Sequence, residues 1–256
     1  MNWKIKIEVW KNQDQNNALK QLLETICSEF DELIPSGPVT GFKPLNLFND
    51  PIAGPTIYWP LNDEFYKIGL NIKEGDYAKA SFQFAHQLCH IYIDPRVNNW
   101  FVESVCNLTG YYFLERFANN PAFDKLISHF PNDSLSFEDY YSKKIKFNYS
   151  DIDLVQHQHS SNWIKREVKK LQKTREWSDI TIKNMIAFEL LPYFRDNKEN
   201  WELLQIFGKS TKPSPPQDAA NLSSSNMSCP DFDKFFSLVP ENLKPVANEM
   251  VSRILE

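Results

Sequence analysis

Two histidines stand four residues apart in the segment Phe84-Ala85-His86-Gln87-Leu88-Cys89-His90. On a helix, residues four apart share one face about one turn apart, so both imidazoles can converge on a single ion. Zinc accepts imidazole nitrogen at roughly 2.0–2.1 Å, and a catalytic zinc takes three protein ligands and keeps one position open. The third ligand must come from elsewhere in the chain. Glu103, in Asn99-Trp100-Phe101-Val102-Glu103-Ser104, is the best placed, thirteen positions after His90 and near the start of the next helix. Asp94-Pro95 lies between and would turn that helix back on the first. The competing reading is chance spacing, with each histidine simply packing. Against it, the chain holds only 5 histidines, and the helix that carries these two is otherwise apolar (Phe82, Phe84, Ala85, Leu88, Ile91). Such a helix is buried, and buried imidazoles need partners.

The elements that must position this set can be read from periodicity. Residues 3–10 alternate, with Trp3, Ile5, Ile7 and Val9 on one face and Lys4, Lys6 and Glu8 on the other, which predicts a strand with one buried face. Ala18, Leu19, Leu22, Leu23, Ile26, Cys27 and Phe30 recur at helical spacing and predict a helix over 15–33, ended by Pro35, Gly37 and Pro38. Residues 35–66 read as loops with short strands, for instance around Thr56–Trp59. Tyr66 to Lys73 reads as a second strand, and Gly75-Asp76 turns the chain into a helix over 77–92. Asp94-Pro95 closes that helix. Another follows over 98–118, then helices over 160–176, 180–195 and 199–207. The Ser- and Pro-rich stretch 208–230 reads as a flexible linker or surface loop, and a helical tail follows over 231–255. Strand, helix, strands, helix and then more helices make an α+β chain.

The histidine segment resembles the H-E-x-x-H motif of zincin metallopeptidases. The downstream Pro95 and Trp100-Phe101-Val102-Glu103-Ser104 are similar to the W-x-x-E-G/S stretch of gluzincins, including the peptidase MA-like group. The resemblance covers about 55–120 well and 1–55 by element order. It implies a zincin-like domain over 1–130, a small sheet with an edge strand beside the active-site helix; beyond 130 the periodicity and composition alone give a helical extension over 131–207, the 208–230 loop and a helical tail over 231–256. It also implies that His86, His90 and Glu103 are zinc ligands and that the strand at 66–73 precedes the active-site helix. One position departs from the motif. The family's general base is the glutamate after the first histidine, and here that residue is Gln87. Glutamine is isosteric with glutamate but cannot take a proton, so the general-base contribution, roughly 10²–10⁴-fold, is lost. The implied protein is a zinc metallopeptidase relative with weak or no hydrolytic activity acting on a peptide or protein. The alternative is a non-catalytic peptide- or protein-binding module on a degenerate zincin fold, with Tyr58, Trp59 and Tyr66 suited to adding an extended peptide as a strand.

Other residues offer further chemistry beside blander readings. His157 and His159 place two imidazoles on one side of an extended segment and could polarise a carbonyl, or belong to an exposed polar loop. Cys89 and Cys106 could form a nucleophilic pair with a histidine or simply pack. Tyr111 and Tyr112 are oxyanion donors or core residues, and Asn107, one turn past Glu103, orients that carboxylate or sits on a helix surface.

Composition excludes several classes. The balance of 28 Lys+Arg against 33 Asp+Glu leaves a net charge of −5, with no basic excess for nucleic acid. The mixed run Lys165 to Lys170 is a solvated helix face. No apolar run approaches the roughly 18 residues of a membrane span. The start MNWKIKIEVW has no continuous apolar core, so it does not read as a signal peptide. Four scattered cysteines suit reduced thiols, and the expectation is a cytoplasmic protein without membrane or nucleic-acid partners. With 42% hydrophobic residues over 256, a sizeable core is available without disulfides.

Overall fold

The computed structural model describes residues 3–58, 64–127, 135–150, 160–174, 180–211 and 229–255. Among them the chain is mixed α+β, with a four-stranded sheet and ten α-helices. Strand β1 (Ile5–Glu8) is followed by helix α1 (Gln13–Leu33), which begins where the Asn12 side chain accepts the backbone N–H groups of Asp14 and Gln15. The apolar stripe from Ala18 to Phe30 is buried, as its spacing requires. Strands β2 (Leu45–Asn49), β3 (Thr56–Ile57) and β4 (Tyr66–Leu70) complete the sheet in the order β1-β2-β4-β3. The first three in that order are parallel, and β3 pairs antiparallel on the edge. The strand beside the histidine helix is therefore internal, and the edge next to it is the two-residue β3.

β4 ends three residues earlier than the alternation predicts. The reason is where the next N–H groups go. Asn71 N donates to Gln83 Oε1 at 2.9 Å, Ile72 N to Asn49 Oδ1 at 3.3 Å and Lys73 N to Asp76 Oδ2 at 3.0 Å. Side chains replace the ladder, although Ile72 stays buried. Gln83 also donates to the Asn71 carbonyl at 3.1 Å. This residue, three before His86, thus clamps helix α2 (Tyr77–Ile93) to the end of the sheet.

α2 is buried on every side, with Lys79 the one residue of it that is not fully buried. Helix α3 (Trp100–Ala118) is similar: between Trp100 and Leu114, Glu103 alone breaks the burial. A helix that is apolar all round lies in the core of the molecule. The return between the two is built by Asp94. Its N–H donates to the His90 carbonyl at 3.0 Å, and its carboxylate accepts the backbone N–H of Arg96 at 2.9 Å and two guanidinium N–H groups. Asn99 then caps α3, accepting from Phe101 N at 3.0 Å and Val102 N at 2.9 Å. That cap starts the helix two residues later than the pattern suggests. The helices approach closely at Gly110, where a Cβ would lie 2.6 Å from the Phe82 ring.

Helices α4 (Pro121–Ile127) and α5 (Phe137–Ser150) are additions that periodicity did not reveal. α6 (Ser160–Thr174) and α7 (Ile180–Asp196) follow, α7 packing along α3. The stretch read as one helix over 199–207 is a 3-10 turn at Lys198–Glu202 followed by α8 (Leu203–Ser210). Gly208 to Ser210, assigned to the Ser- and Pro-rich loop on composition, therefore finish α8, and residues 212–228 of that stretch lie outside the described residues. The tail is two helices, α9 (Phe232–Leu238) and α10 (Lys244–Leu255), because Pro240 interrupts it. No described helix is long and apolar enough to cross a membrane.

α8 seats against the end of α2 through Gly208. A Cβ there would fall 2.0 Å from the Ile93 carbonyl oxygen, a backbone atom that cannot rotate away. Gly208→Ala is expected to destabilise the fold by roughly 1–3 kcal/mol or more, read as a lower midpoint of denaturant unfolding. An unchanged midpoint would mean that α8 does not seat on α2 in this way.

Candidate metal centre

The return of α3 along α2 brings His86, His90 and Glu103 together. His90 Nε2 lies 3.2 Å from His86 Nε2. Glu103 completes the group, with Oε1 3.3 Å from His90 Nε2 and Oε2 3.6 Å from His86 Nε2. A tetrahedral ion held at roughly 2.0–2.2 Å keeps its ligand atoms roughly 3.3–3.6 Å apart. The imidazole pair meets that spacing, and the carboxylate faces it with one oxygen toward each ring, a donor set that suits a zinc-sized ion.

The tautomer of His86 is set from behind. Its Nδ1 lies 2.9 Å from Asn107 Oδ1, and Asn107 Nδ2 donates to Asn184 Oδ1 of α7 at 2.9 Å. Because the Asn107 amide nitrogen is turned to Asn184, its oxygen faces His86, and the hydrogen-bond pattern assigns the His86 proton to Nδ1. The Nε2 lone pair then points into the group, the arrangement a metal-binding imidazole needs.

Burial decides the charge states. It lowers the pKa of His86 to about 4, with Glu103 pulling the other way and His90 reinforcing the fall. His86 is thus a neutral imidazole near neutral pH. For Glu103 burial is again the largest influence and pushes upward, but the hydrogen bond to His90 and the charges of His90, His86 and Lys183 outweigh it. The carboxyl is held well below its ordinary range, so it stays ionised. Its side chain is 19% exposed, which makes it the one opening to solvent in this stretch of α3.

Cys106, three residues beyond Glu103 on α3, forms a second grouping with the two histidines. Ligand atoms of His86, His90 and Cys106 all lie within 4.8 Å of one another, and these three buried residues could hold a metal ion. Burial, then contact with Cys89 and the charge of Glu103, raise the Cys106 thiol well above its ordinary pKa. Sequence reasoning paired neither cysteine with the other. No disulfide joins any of the four cysteines. Asn184 was also missed, since a lone asparagine on an apolar helix carries no motif.

The remaining candidates fall elsewhere. Gln87 is buried and makes no hydrogen bond to a described residue. Tyr111 packs its ring on Phe82 and Phe188, and Tyr112 packs on Trp201 beneath Arg116, so both are core residues. His157 and His159 lie outside the described residues, as does Trp59. Comparison of the chain with protein-family models, with curated proteins and with solved structures gives no match.

The depressed pKa of His86 has a consequence for stability. Its folded value, about 4, lies below the unfolded value of 6.5, so as pH falls the unfolded chain takes the proton first. The metal-free protein should be most stable above about pH 6.5 and lose up to roughly 3 kcal/mol between there and about pH 4. Glu103, ionised in the fold, adds a second loss only below its ordinary value near 4.5. Urea unfolding of wild type and His86→Gln over this window checks it: the variant should show a flatter dependence, and equal slopes would refute a neutral buried His86.

Proposed function

We propose that the chain is a zincin-like metallopeptidase relative in which His86, His90 and Glu103 hold zinc and in which hydrolysis is weak or absent. One observation carries the reading: two imidazoles and a carboxylate converge on two adjoining core helices, each imidazole facing its own carboxylate oxygen, with the first histidine oriented by an asparagine on the second helix. The order of elements supports it as well, since the strand β4 runs directly into the histidine helix. Bound zinc supplies Lewis acidity to whatever carbonyl approaches.

The chain's own residues set the limits of that chemistry. His86 presents a lone pair because Asn107 holds its other nitrogen. Glu103 contributes negative charge and the opening to solvent. Gln87 holds the family's general-base position and cannot accept a proton, which removes the group that would shuttle it. That same residue favours a second reading, a binding module that retains the metal site and holds an extended peptide or protein segment without cleaving it.

Elemental analysis of the purified chain tests the proposal. About one zinc per chain is expected, lost in His86→Ala and in His90→Ala and retained in Gln87→Ala, because the amide is no ligand. Peptide-library turnover by the chain as it stands should be at background. A folded chain that binds no zinc, or fast hydrolysis with Gln87 in place, overturns the reading. Gln87→Glu separates its two forms: a gain of roughly 10²-fold marks an intact cleft, and no gain with zinc retained marks the binding module.

A further inference from the structure

The geometry points to Cys106 as a fourth protein ligand to the metal held by His86, His90 and Glu103, closing the site as a two-helix clamp. The inference rests on the zinc reading above and specifies its coordination. Each helix would supply a pair: His86 and His90 from α2, and Glu103 and Cys106, one turn apart, from α3. The Cys106 sulphur already belongs to the histidine group, with its distance to each histidine ligand atom no more than 4.8 Å. In a tetrahedral site with a zinc–sulphur bond of about 2.3 Å, sulphur and nitrogen ligands lie roughly 3.6 Å apart. Cys106 is fully buried, so no solvent competes for that position from its side.

A closed set changes what the site is for. Structural zinc takes four protein ligands, whereas catalytic zinc leaves one position for water. Filling that position with sulphur and placing glutamine at the base position both remove parts that hydrolysis needs, and they do so through different residues. In that four-ligand form the metal ties α2 to α3 and keeps no position open for water. The donor set, two imidazoles with one carboxylate and one thiolate, is also softer than two imidazoles with a carboxylate and water, which favours zinc over harder divalent ions.

Cobalt(II) titration of the full chain tests the proposal, because cobalt replaces zinc in tetrahedral sites and reports sulphur ligation by a thiolate-to-metal charge-transfer band in the near ultraviolet. The band is expected in wild type and in Cys89→Ser, and absent from Cys106→Ser. The latter should still bind cobalt, more weakly by at least the roughly 10–100-fold that loss of a supporting partner costs. Wild type that binds cobalt without the band, or a band that survives Cys106→Ser, overturns Cys106 as a ligand while leaving the three-ligand site intact. Wild type that stays folded and binds no cobalt refutes the metal reading itself. The wild-type spectrum alone carries the decision if a variant fails to fold.

Discussion

Four imidazole nitrogens on a helix with no solvent-facing side set the terms for everything around them. An unpaired buried polar group costs roughly 1–3 kcal/mol, and the burial of α2 leaves His86 and His90 only 9% and 8% exposed. Partners must therefore come from the helices packed against it. α3 provides both, Asn107 behind His86 and Glu103 in front of the pair. Asn107 in turn needs a partner for its amide nitrogen, and Asn184 of α7 supplies it. The polar chain from His86 to Asn107 to Asn184 crosses three helices through a largely apolar core. This explains why α7, remote in sequence, belongs to the same core as the sheet and the histidine helix.

Charge in this core is arranged with economy. Glu103 is the one carboxylate in the group, and its ionised form is held by neighbouring imidazoles although burial opposes it. Gln87, buried on the same helix as the two histidines, adds no charge there, and an uncharged amide is far less costly to bury than an unpaired carboxylate.

The histidine spacing was legible because helical periodicity needs nothing beyond the local sequence. The place of Glu103 was legible for a similar reason: Asp94-Pro95 and the Asn99 cap are local signals that fold α3 back within a few residues. Strand and helix identities from 3 to 118 follow the hydrophobic pattern, with β4 cut short where the Gln83, Asn49 and Asp76 side chains take over the backbone N–H groups. Tertiary choices were not legible. Nothing in the sequence announces that Cys106 turns toward the imidazoles, that Asn184 meets Asn107 across 77 positions, or that the internal strand beside the histidines is bordered by a two-residue edge. Pro121–Ile127 is too short for periodicity to mark, and Phe137–Ser150 has a weakly patterned apolar face.

The separation between local and remote contributions also orders the site's construction. His86, His90, Glu103, Cys106 and Asn107 span 22 consecutive positions on one helical hairpin, so the candidate ligands approach one another wherever that hairpin forms. What the hairpin cannot do alone is fix the proton on His86, because Asn107 is free to present either end of its amide until Asn184 engages the nitrogen. The histidine helix is further held by Gln83 at the sheet and by α8 under Gly208 at its other end. Local sequence therefore gathers the donors, and the surrounding fold chooses which lone pair each one offers. The position of the His86 proton thus depends on α7, through the two ends of the Asn107 amide, and the approach of the donors depends on the hairpin.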